Sequence, residues 1–443
     1  FPGRASTSLL NRIGLAADDV EQWQTAEAYY RRAQEAEPAE STWTGNLMRA
    51  LVCQKRAGEA AERGRAWLAA NPWHGYVVLK LAWALREADL LPEETTTLRS
   101  AIEKEPLDEE LHYALLTNLI TRKLYDEAAA FIAHCHTSGI ARSRFFNDWG
   151  NCLNDQERFE DAEASYRRAL ELAPDNATAA GNLVSLLTVR KRTDAALEFA
   201  LAWVGRHPDH HYVRRQLAHV YYTVDDYPPA ETEYRALTHT EPDSAHLFGR
   251  LIACLRLQGK FEEVLTLAEP WLQTHAGTSF LFTEMGISAH RLGRGELALS
   301  YFEAALQLDP SVLPTALGKL RVFAEQGTPA RALKFGAEWA AVHAADSQFE
   351  NELAIVADRA GDLEQAQRRF LRAVELDPEN PTLAGNAVEI LCRQGAISES
   401  IQLGQRLLAK SPPNAYLLRR LAEAYCAHHE YLAAIDLLSS ADV

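Results

Sequence analysis

The sequence predicts an all-α solenoid in which pairs of helices repeat along nearly the whole chain. One observation is a proline column, because nine prolines share the same phase of a 34-residue period. They are Pro38, Pro72, Pro106, Pro174, Pro208, Pro242, Pro310, Pro378 and Pro412. A second column with the same period holds mostly small residues, which let two helices approach closely; examples are Ala26, Ala60, Ala128, Ala162 and Ala196. A fixed period of this kind indicates stacked repeats rather than separate globular domains.

The register of the repeats follows when the prolines are placed at position 32 of each 34-residue unit. It predicts twelve whole repeats and a partial one, at 7–40, 41–74, 75–108, 109–142, 143–176, 177–210, 211–244, 245–278, 279–312, 313–346, 347–380, 381–414 and 415–443. We expect residues 1–443 to form a single array. Near 134–145 we expect an irregularity, because the fourth repeat lacks the proline and carries Ser138-Gly139 in its connection.

Each repeat is predicted to contain two amphipathic helices, helix A over about positions 2–14 and helix B over about positions 15–29. At 100° per residue, positions 4, 7, 8 and 11 of helix A share one side, which holds leucines such as Leu183 and Leu187. Positions 2, 5, 6, 9, 12 and 13 share the opposite side, which we call the A face; its residues are polar, aromatic and charged. The proline at position 32 follows helix B, where it ends a helix without losing a hydrogen bond.

A finer pattern has a period of two repeats. Odd repeats pair a large residue with a small one, as in Tyr166 and Ala169, and even repeats reverse the order, as in Ala200 and Trp203. Close packing requires such an exchange of volume between adjacent sites. The tryptophans of the even repeats are therefore predicted to be buried, namely Trp203, Trp271 and Trp339. Glycines in helix A of the even repeats predict a close approach there; they are Gly45, Gly181, Gly249 and Gly385.

Residues 157–176, together with Trp149 before them, carry a known signature. Ala162, Tyr166, Ala169 and Pro174 lie at spacings that resemble the tetratricopeptide (TPR) repeat, and the resemblance extends over the whole register. It implies a right-handed superhelix of antiparallel helix pairs, with the A face lining a concave groove for a peptide or protein partner.

Composition restricts the function classes. The chain carries 45 Lys and Arg against 61 Asp and Glu, a net charge of −16. This acidity disfavours nucleic acid and anionic membrane surfaces as partners. Six cysteines without a C-x-x-C motif indicate a reducing compartment, so we expect a cytoplasmic protein. The excess of Arg over Lys and the abundant Ala hint at a bacterial source, and the start at Phe1 suggests that a segment precedes it.

No motif for catalysis, a metal or a cofactor is evident, so we expect no catalytic residues, no metal and no cofactor within the chain. The nearest candidate for a metal site is His134-Cys135-His136. Alternate residues of a helix point about 200° apart, so these three side chains cannot converge on one ion.

The A face of repeats 5 to 7 holds the candidate partner-binding residues, which are Asn147, Asn151, Asn182, Tyr212, Arg215, Gln216, His219 and Tyr222. Asn151 and Asn182 match two asparagines of the carboxylate clamp of TPR co-chaperones, which grip a peptide main chain. The places of the clamp's cations hold Asn147, Tyr212 and Gln216 instead. The resemblance therefore implies main-chain binding more than carboxylate recognition, and an ordinary solvated wall is the alternative.

Three functions remain open. The first is a non-catalytic scaffold for a peptide or protein. The second is the recognition arm of a longer bacterial enzyme, a CHAT protease, glycosyltransferase or sulfotransferase, whose catalytic part lies outside this chain. The third, an RNA-binding repeat protein, is disfavoured by charge. Because the last helix B carries Tyr431, Leu432, Ile435 and Leu438, we also expect a partner domain or subunit to cover it.

Overall fold

The computed structural model describes residues 2–71, 73–410 and 414–440, and within these ranges it contains 26 α-helices and no strand. They are α1 Pro2–Asp19, α2 Trp23–Ala36, α3 Ser41–Cys53, α4 Ala57–Ala70, α5 Gly75–Glu87, α6 Leu91–Lys104, α7 Glu109–Thr121, α8 Tyr125–Thr137, α9 Ser143–Asp155, α10 Phe159–Leu172, α11 Ala177–Val189, α12 Thr193–Arg206, α13 His211–Thr223, α14 Tyr227–Thr240, α15 Ala245–Leu257, α16 Phe261–Trp271, α17 Ser279–Arg291, α18 Gly295–Leu308, α19 Leu313–Glu325, α20 Pro329–Val342, α21 Ser347–Arg359, α22 Leu363–Leu376, α23 Pro381–Arg393, α24 Ile397–Leu408, α25 Ala415–Ala427 and α26 Tyr431–Ser440. The all-α solenoid prediction is confirmed.

The odd-numbered helices from α3 onward start at regular intervals of 34 residues, from Ser41 and Gly75 to Ala415. Within a repeat, helix A packs on its own helix B, and it also packs on helix A of the next repeat, as α3 does on α4 and α5. The chain divides into two compact units, residues 1–220 and 221–443. The single array expected from the sequence stays a prediction, and two members of its proline column, Pro72 and Pro412, lie outside the described residues.

The turn between helix A and helix B has the same conformation in every described repeat. The residue at position 15 has a positive φ. In eight repeats it is not glycine: Glu21, Lys55, Asp89, Lys123, Glu157, Lys191, Asp225 and His429. In five it is glycine: Gly259, Gly293, Gly327, Gly361 and Gly395. A left-handed residue follows the end of helix A, and the amide three residues after the end bonds back to the last turn, as Arg158 N does to Leu153 O at 2.9 Å.

The tryptophans of the even repeats connect neighbouring repeats. Trp203 and Trp339 are 4% and 8% exposed, so the predicted burial is confirmed for these two. The Nε1 of Trp203 donates to the carbonyl of Pro174 at 3.2 Å, and that of Trp339 donates to the carbonyl of Pro310 at 3.0 Å. The proline column therefore supplies an acceptor to the tryptophan column, in addition to ending helix B.

The predicted burial of Trp271 is wrong, because this side chain is only partly buried. Its helix α16 is 11 residues long and contains Pro270, whereas α14 has 14 residues. Proline has no N–H to donate within a helix, and α16 ends one residue after it. Phe248 and His275 stack on its faces, with ring centroids at 4.7 and 4.2 Å, and its Nε1 donates to the carbonyl of Pro242 at 3.4 Å.

Two further predictions concern particular places in the chain. Around 134–145, α8 ends at Thr137, Gly139 has a φ of 72°, and α9 begins at Ser143, in register with its neighbours. At α26 the predicted apolar side is exposed, with Leu432 78% and Ile435 58% accessible. That the stacking changes near 134–145, and that a domain or subunit covers α26, stay predictions.

Candidate partner-binding face

A network of side-chain amides joins α9 and α11 on the A face of the first unit. The Nδ2 of Asn182 donates to the Oδ1 of Asn147 at 3.0 Å and to the Oδ1 of Asn151 at 2.9 Å. The hydroxyl of Tyr212, on α13, donates to the Oδ1 of Asn182 at 2.8 Å. The structure therefore brings four of the predicted site residues into one hydrogen-bonded cluster, which we call the amide cluster.

Gly181 makes room for this cluster. The ring of Tyr212 lies against the backbone of α11, and a Cβ at Gly181 would sit 2.1 Å from the ring carbon Cε1. Only glycine leaves that space, and the ring can then extend its hydroxyl to the neighbouring Asn182. The close approach predicted from the helical glycine is confirmed here, and its partner is the tyrosine of the next repeat.

The same arrangement occurs twice more, and each unit contains at least one copy. Asn46 donates to Asn11 at 2.8 Å and accepts from Tyr76 at 3.2 Å. In the second unit Asn386 donates to Asn351 at 2.8 Å and accepts from Tyr416 at 2.6 Å. Sequence reasoning named Asn147, Asn151, Asn182 and Tyr212 as site residues, but it did not predict the hydrogen bond from the tyrosine to the asparagine. The signal was present, since each tyrosine follows its Gly-Asn pair by a constant spacing of 30 residues from the asparagine.

Asn151 and Asn182 reach the surface, whereas Asn147 is only 6% exposed. The Nδ2 of Asn147 donates to the Oδ1 of Asp148 at 3.0 Å, and its Oδ1 accepts from Asn182, so this amide forms its hydrogen bonds within the protein. The Oδ1 of Asn151 accepts from the hydroxyl of Tyr166 at 2.8 Å as well as from Asn182. Burial raises the pKa of Tyr166, so its hydroxyl remains a donor.

The amide of Asn151 is therefore oriented by two donors to its oxygen. Within the described part of the chain, its nitrogen has no hydrogen-bond partner. An asparagine amide offers two N–H donors, so this nitrogen can donate to a carbonyl of a bound chain. The Oδ1 of Asn182 accepts from Tyr212, and an amide oxygen can accept a second hydrogen bond.

The remaining predicted residues divide between the two units. Arg215, Gln216 and His219 lie on α13 with Tyr212, in the first unit. Tyr222 belongs to the second unit, where the guanidinium of Arg250 lies 5.2 Å from the centre of its ring. We therefore treat the amide cluster as the candidate site of the first unit and describe Tyr222 with the second.

The described residues contain no group of three or more His, Cys, Asp or Glu side chains placed to hold a metal ion. None of the helices described is both long enough and apolar enough to cross a bilayer. At the site itself, the chemical groups are amides and phenols. They can form hydrogen bonds to a partner, and repeat folds of this type are generally binding modules without catalytic activity.

Comparison with known proteins gives similarity at the level of family and fold. No curated protein matches the sequence. Among solved structures, yeast Tom70 is 13% identical, with 96% of each chain covered and a TM-score of 0.39. A tetratricopeptide repeat protein from Parabacteroides merdae is 14% identical, over 55% of this chain and 97% of that one, with a TM-score of 0.43. The APC/C hetero-tetramer Cut9–Hcn1 is 14% identical, over 90% of this chain and 86% of that one, with a TM-score of 0.37.

A sequence family described as "Tetratricopeptide repeat" matches residues 148–211 and 351–415. The first range contains Asn151 and Asn182 of the amide cluster of the first unit, and the second contains Asn351 and Asn386 of its counterpart in the second. With the helix pairs that recur every 34 residues, these matches identify the chain as a tetratricopeptide repeat protein.

Proposed function

We propose that this protein is a non-catalytic scaffold that binds an extended segment of a peptide or protein partner on the A face of its first unit. Asn151 and Asn182 contact the main chain of that segment, and Tyr212 adds an amphipathic surface beside them. The oriented amide of Asn151 carries the proposal. A donor that is already fixed loses little conformational freedom when it binds, which favours affinity.

The chemistry of the cluster suits main-chain recognition. Peptide groups offer one N–H and one carbonyl at each residue, and an amide side chain can pair with both. The exposed part of Tyr212 supplies rigid apolar area with a polar tip, a combination that is common where binding energy is concentrated.

The test uses the full chain and a peptide selected from a displayed random library against it. The selected peptide is titrated into the wild type, Asn151→Asp and Gln24→Glu. In Asn151→Asp the side-chain oxygen still accepts from Tyr166 and Asn182, but the donor to the peptide becomes an acceptor. We expect binding to weaken about tenfold, the loss of one hydrogen bond with an unpaired carbonyl left behind.

Gln24 is the matched control, because it is an exposed amide on helix B of the first repeat. Its change to Glu adds the same charge away from the A face, so affinity should stay at the wild-type value. Equal affinity of all three proteins, with unchanged circular dichroism, would contradict the proposal and place the binding surface elsewhere.

A further inference from the structure

A second site lies on the A face of the second unit, and its chemistry differs from that of the amide cluster. A cavity of about 780 Å³ opens across α15, α17 and α19. Its polar lining contains three arginines, Arg256, Arg291 and Arg321, together with His290, Glu325 and Gln348, and its apolar lining includes Ile287 and Leu317. Three arginines at one cavity stand out in a chain whose net charge is −16.

Two of these arginines are held in place by carboxylates on the next helix A. The Nε of Arg256 donates to Glu284, which is 5% exposed, and the Nε of Arg321 donates to Glu352 at 3.0 Å. A guanidinium has five N–H donors in a rigid plane, so a carboxylate that binds one edge leaves the other donors fixed in direction. Burial raises the pKa of Glu284, and Arg256 opposes that rise.

Arg250, on α15 with Arg256, adds a further fixed cation on the same face. Its guanidinium lies 5.2 Å from the ring centre of Tyr222 and 6.0 Å from that of Phe280. Arg250 and Phe280 also line a cavity of about 280 Å³. Among the described residues, neither Arg250 nor Arg291 forms an ion pair, so both charges are available to a ligand.

The sequence register supports a difference in function here. Arg250 occupies the position of Asn46, Asn182 and Asn386, and Phe280 occupies that of the three tyrosines that bond to them. Both members of the amide–hydroxyl pair are therefore replaced together. Gly249 is retained below Phe280, so the ring still lies on the helix while a cation takes the place of the amide.

We propose that the A face from Arg250 to Arg321 binds an acidic segment of a protein partner. Carboxylates of the segment pair with Arg250 and Arg291, and with the outer edges of Arg256 and Arg321. An apolar side chain between them rests on Ile287 and Leu317. A peptide suits the site better than a nucleic acid, because Glu325 and Glu352 lie on the same face and would repel a continuous phosphate backbone.

The experiment measures fluorescence anisotropy with three labelled probes and the full chain. The first is a pool of short synthetic peptides that mix Leu, Ile, Ser and Gly with Asp and Glu. The second pool has Asn and Gln in place of Asp and Glu, and the third probe is a short oligothymidylate. We expect the acidic pool to bind about tenfold more tightly than the amide pool, as charge-assisted hydrogen bonds require. The preference should fall with added salt.

The variant is Arg250→Gln with Arg291→Gln, which should reduce the preference for acidic peptides to about one. Arg256 is left unchanged, since its removal would strand the buried Glu284 and destabilise the fold. Arg368→Gln, on helix α22, is the control for loss of an exposed arginine and should keep the preference.

Three results would overturn the proposal: equal binding of the two pools, a preference that survives in the double variant, or tighter binding of the oligothymidylate than of the acidic pool. The Asn151→Asp variant should keep the acidic preference, so the outcome is separable from that of the site in the first unit.

Discussion

Each residue of the amide cluster depends on a residue from another helix. A Cβ at Gly181 would collide with the ring of Tyr212, whose hydroxyl donates to Asn182, and Asn182 in turn donates to Asn151. Glycine, asparagine and tyrosine recur together in three places, so we infer that the three residues form this contact as a set, which we call the trio. At Arg250 and Phe280 the asparagine and the tyrosine are replaced together while Gly249 is retained, which is consistent with this dependence.

The first prediction concerns Gly181→Ala. Alanine favours the helix by about 1 kcal/mol over glycine, but its Cβ must displace the ring of Tyr212 and break the bond to Asn182. We expect a net destabilisation of about 1–2 kcal/mol, as for other insertions into a packed contact. Gly205→Ala is the comparison, since no atom lies within 4 Å of its Cβ position. It should stabilise the protein, and urea unfolding of both variants measures the difference. A stabilised Gly181→Ala would contradict the packing argument.

The second prediction concerns acid. Arg31 donates to Glu59 at 2.7 Å, and Arg56 also forms an ion pair with Glu59. The hydrogen bond from Arg31 is the main cause that lowers the pKa of Glu59 from 4.5 to about 2. The folded-state pKa is the lower one, so the ion pair stabilises the fold fully above pH 4.5 and progressively less as the pH falls toward 2. Glu59→Gln should therefore lose less stability than the wild type between pH 6 and pH 3.

Urea midpoints across that pH range measure the difference, with Glu379→Gln as the control because that glutamate is exposed and forms no ion pair with another described residue. The wild type and Glu379→Gln should give parallel curves. Parallel curves for Glu59→Gln as well would mean that the pair with Arg31 contributes nothing to stability.

At the scale of helices and turns, position 15 of each repeat is the most uniform feature of the fold. A left-handed backbone costs roughly 1 kcal/mol for a residue with a Cβ and little for glycine. In the early repeats a residue with a Cβ adopts this conformation, as Glu157 does with a φ of 59°. Five later repeats have glycine there, as at Gly259, with a φ of 76°. Sequence reasoning missed this turn, although five glycines at 34-residue spacing are a signal for it.

The third prediction follows from that difference. Glu157→Gly should stabilise the protein by about 0.5–1 kcal/mol, because relief of the strained φ exceeds the entropy that glycine adds to the unfolded chain. Gly259→Ala should destabilise it by about 1–2 kcal/mol, although no atom lies within 4 Å of its Cβ position. Thermal and urea unfolding measure both changes. The same sign for the two variants would exclude backbone strain as the cause.

At the scale of the whole molecule, the period was sufficient to predict the class of fold and the helix register, because every repeat must satisfy the same packing. Departures from the period were not predictable in the same way. Trp271 is partly exposed in a helix of 11 residues that contains Pro270, and a pattern shared by all repeats does not predict such a local difference. The residues of the amide cluster were predicted from the sequence. The hydrogen bonds among them were not, because they depend on side-chain rotamers that residue spacing does not specify. The cationic cavity was missed because its arginines are spread over 66 residues, from Arg256 to Arg321, in a chain that is acidic overall.

The fourth prediction tests whether stability is local. In a solenoid each repeat contacts only its neighbours, so damage should remain near the substitution until a global transition occurs. Trp339 is buried and bonds to the carbonyl of Pro310, so Trp339→Ala should cost about 3–5 kcal/mol. Trp271→Ala should cost less, because that indole is already partly exposed.

Hydrogen exchange with mass spectrometry resolves where the protection is lost. In Trp339→Ala, exchange should accelerate in α18–α22, which pack in sequence around the substituted helix α20. Exchange in α3–α9 should remain at the wild-type rate under the same conditions. If protection instead fell by the same factor in every helix, the chain would unfold as one cooperative body, and the nearest-neighbour description of its stability would be wrong. Equal losses for the two tryptophan variants would separately contradict the burial difference between Trp339 and Trp271.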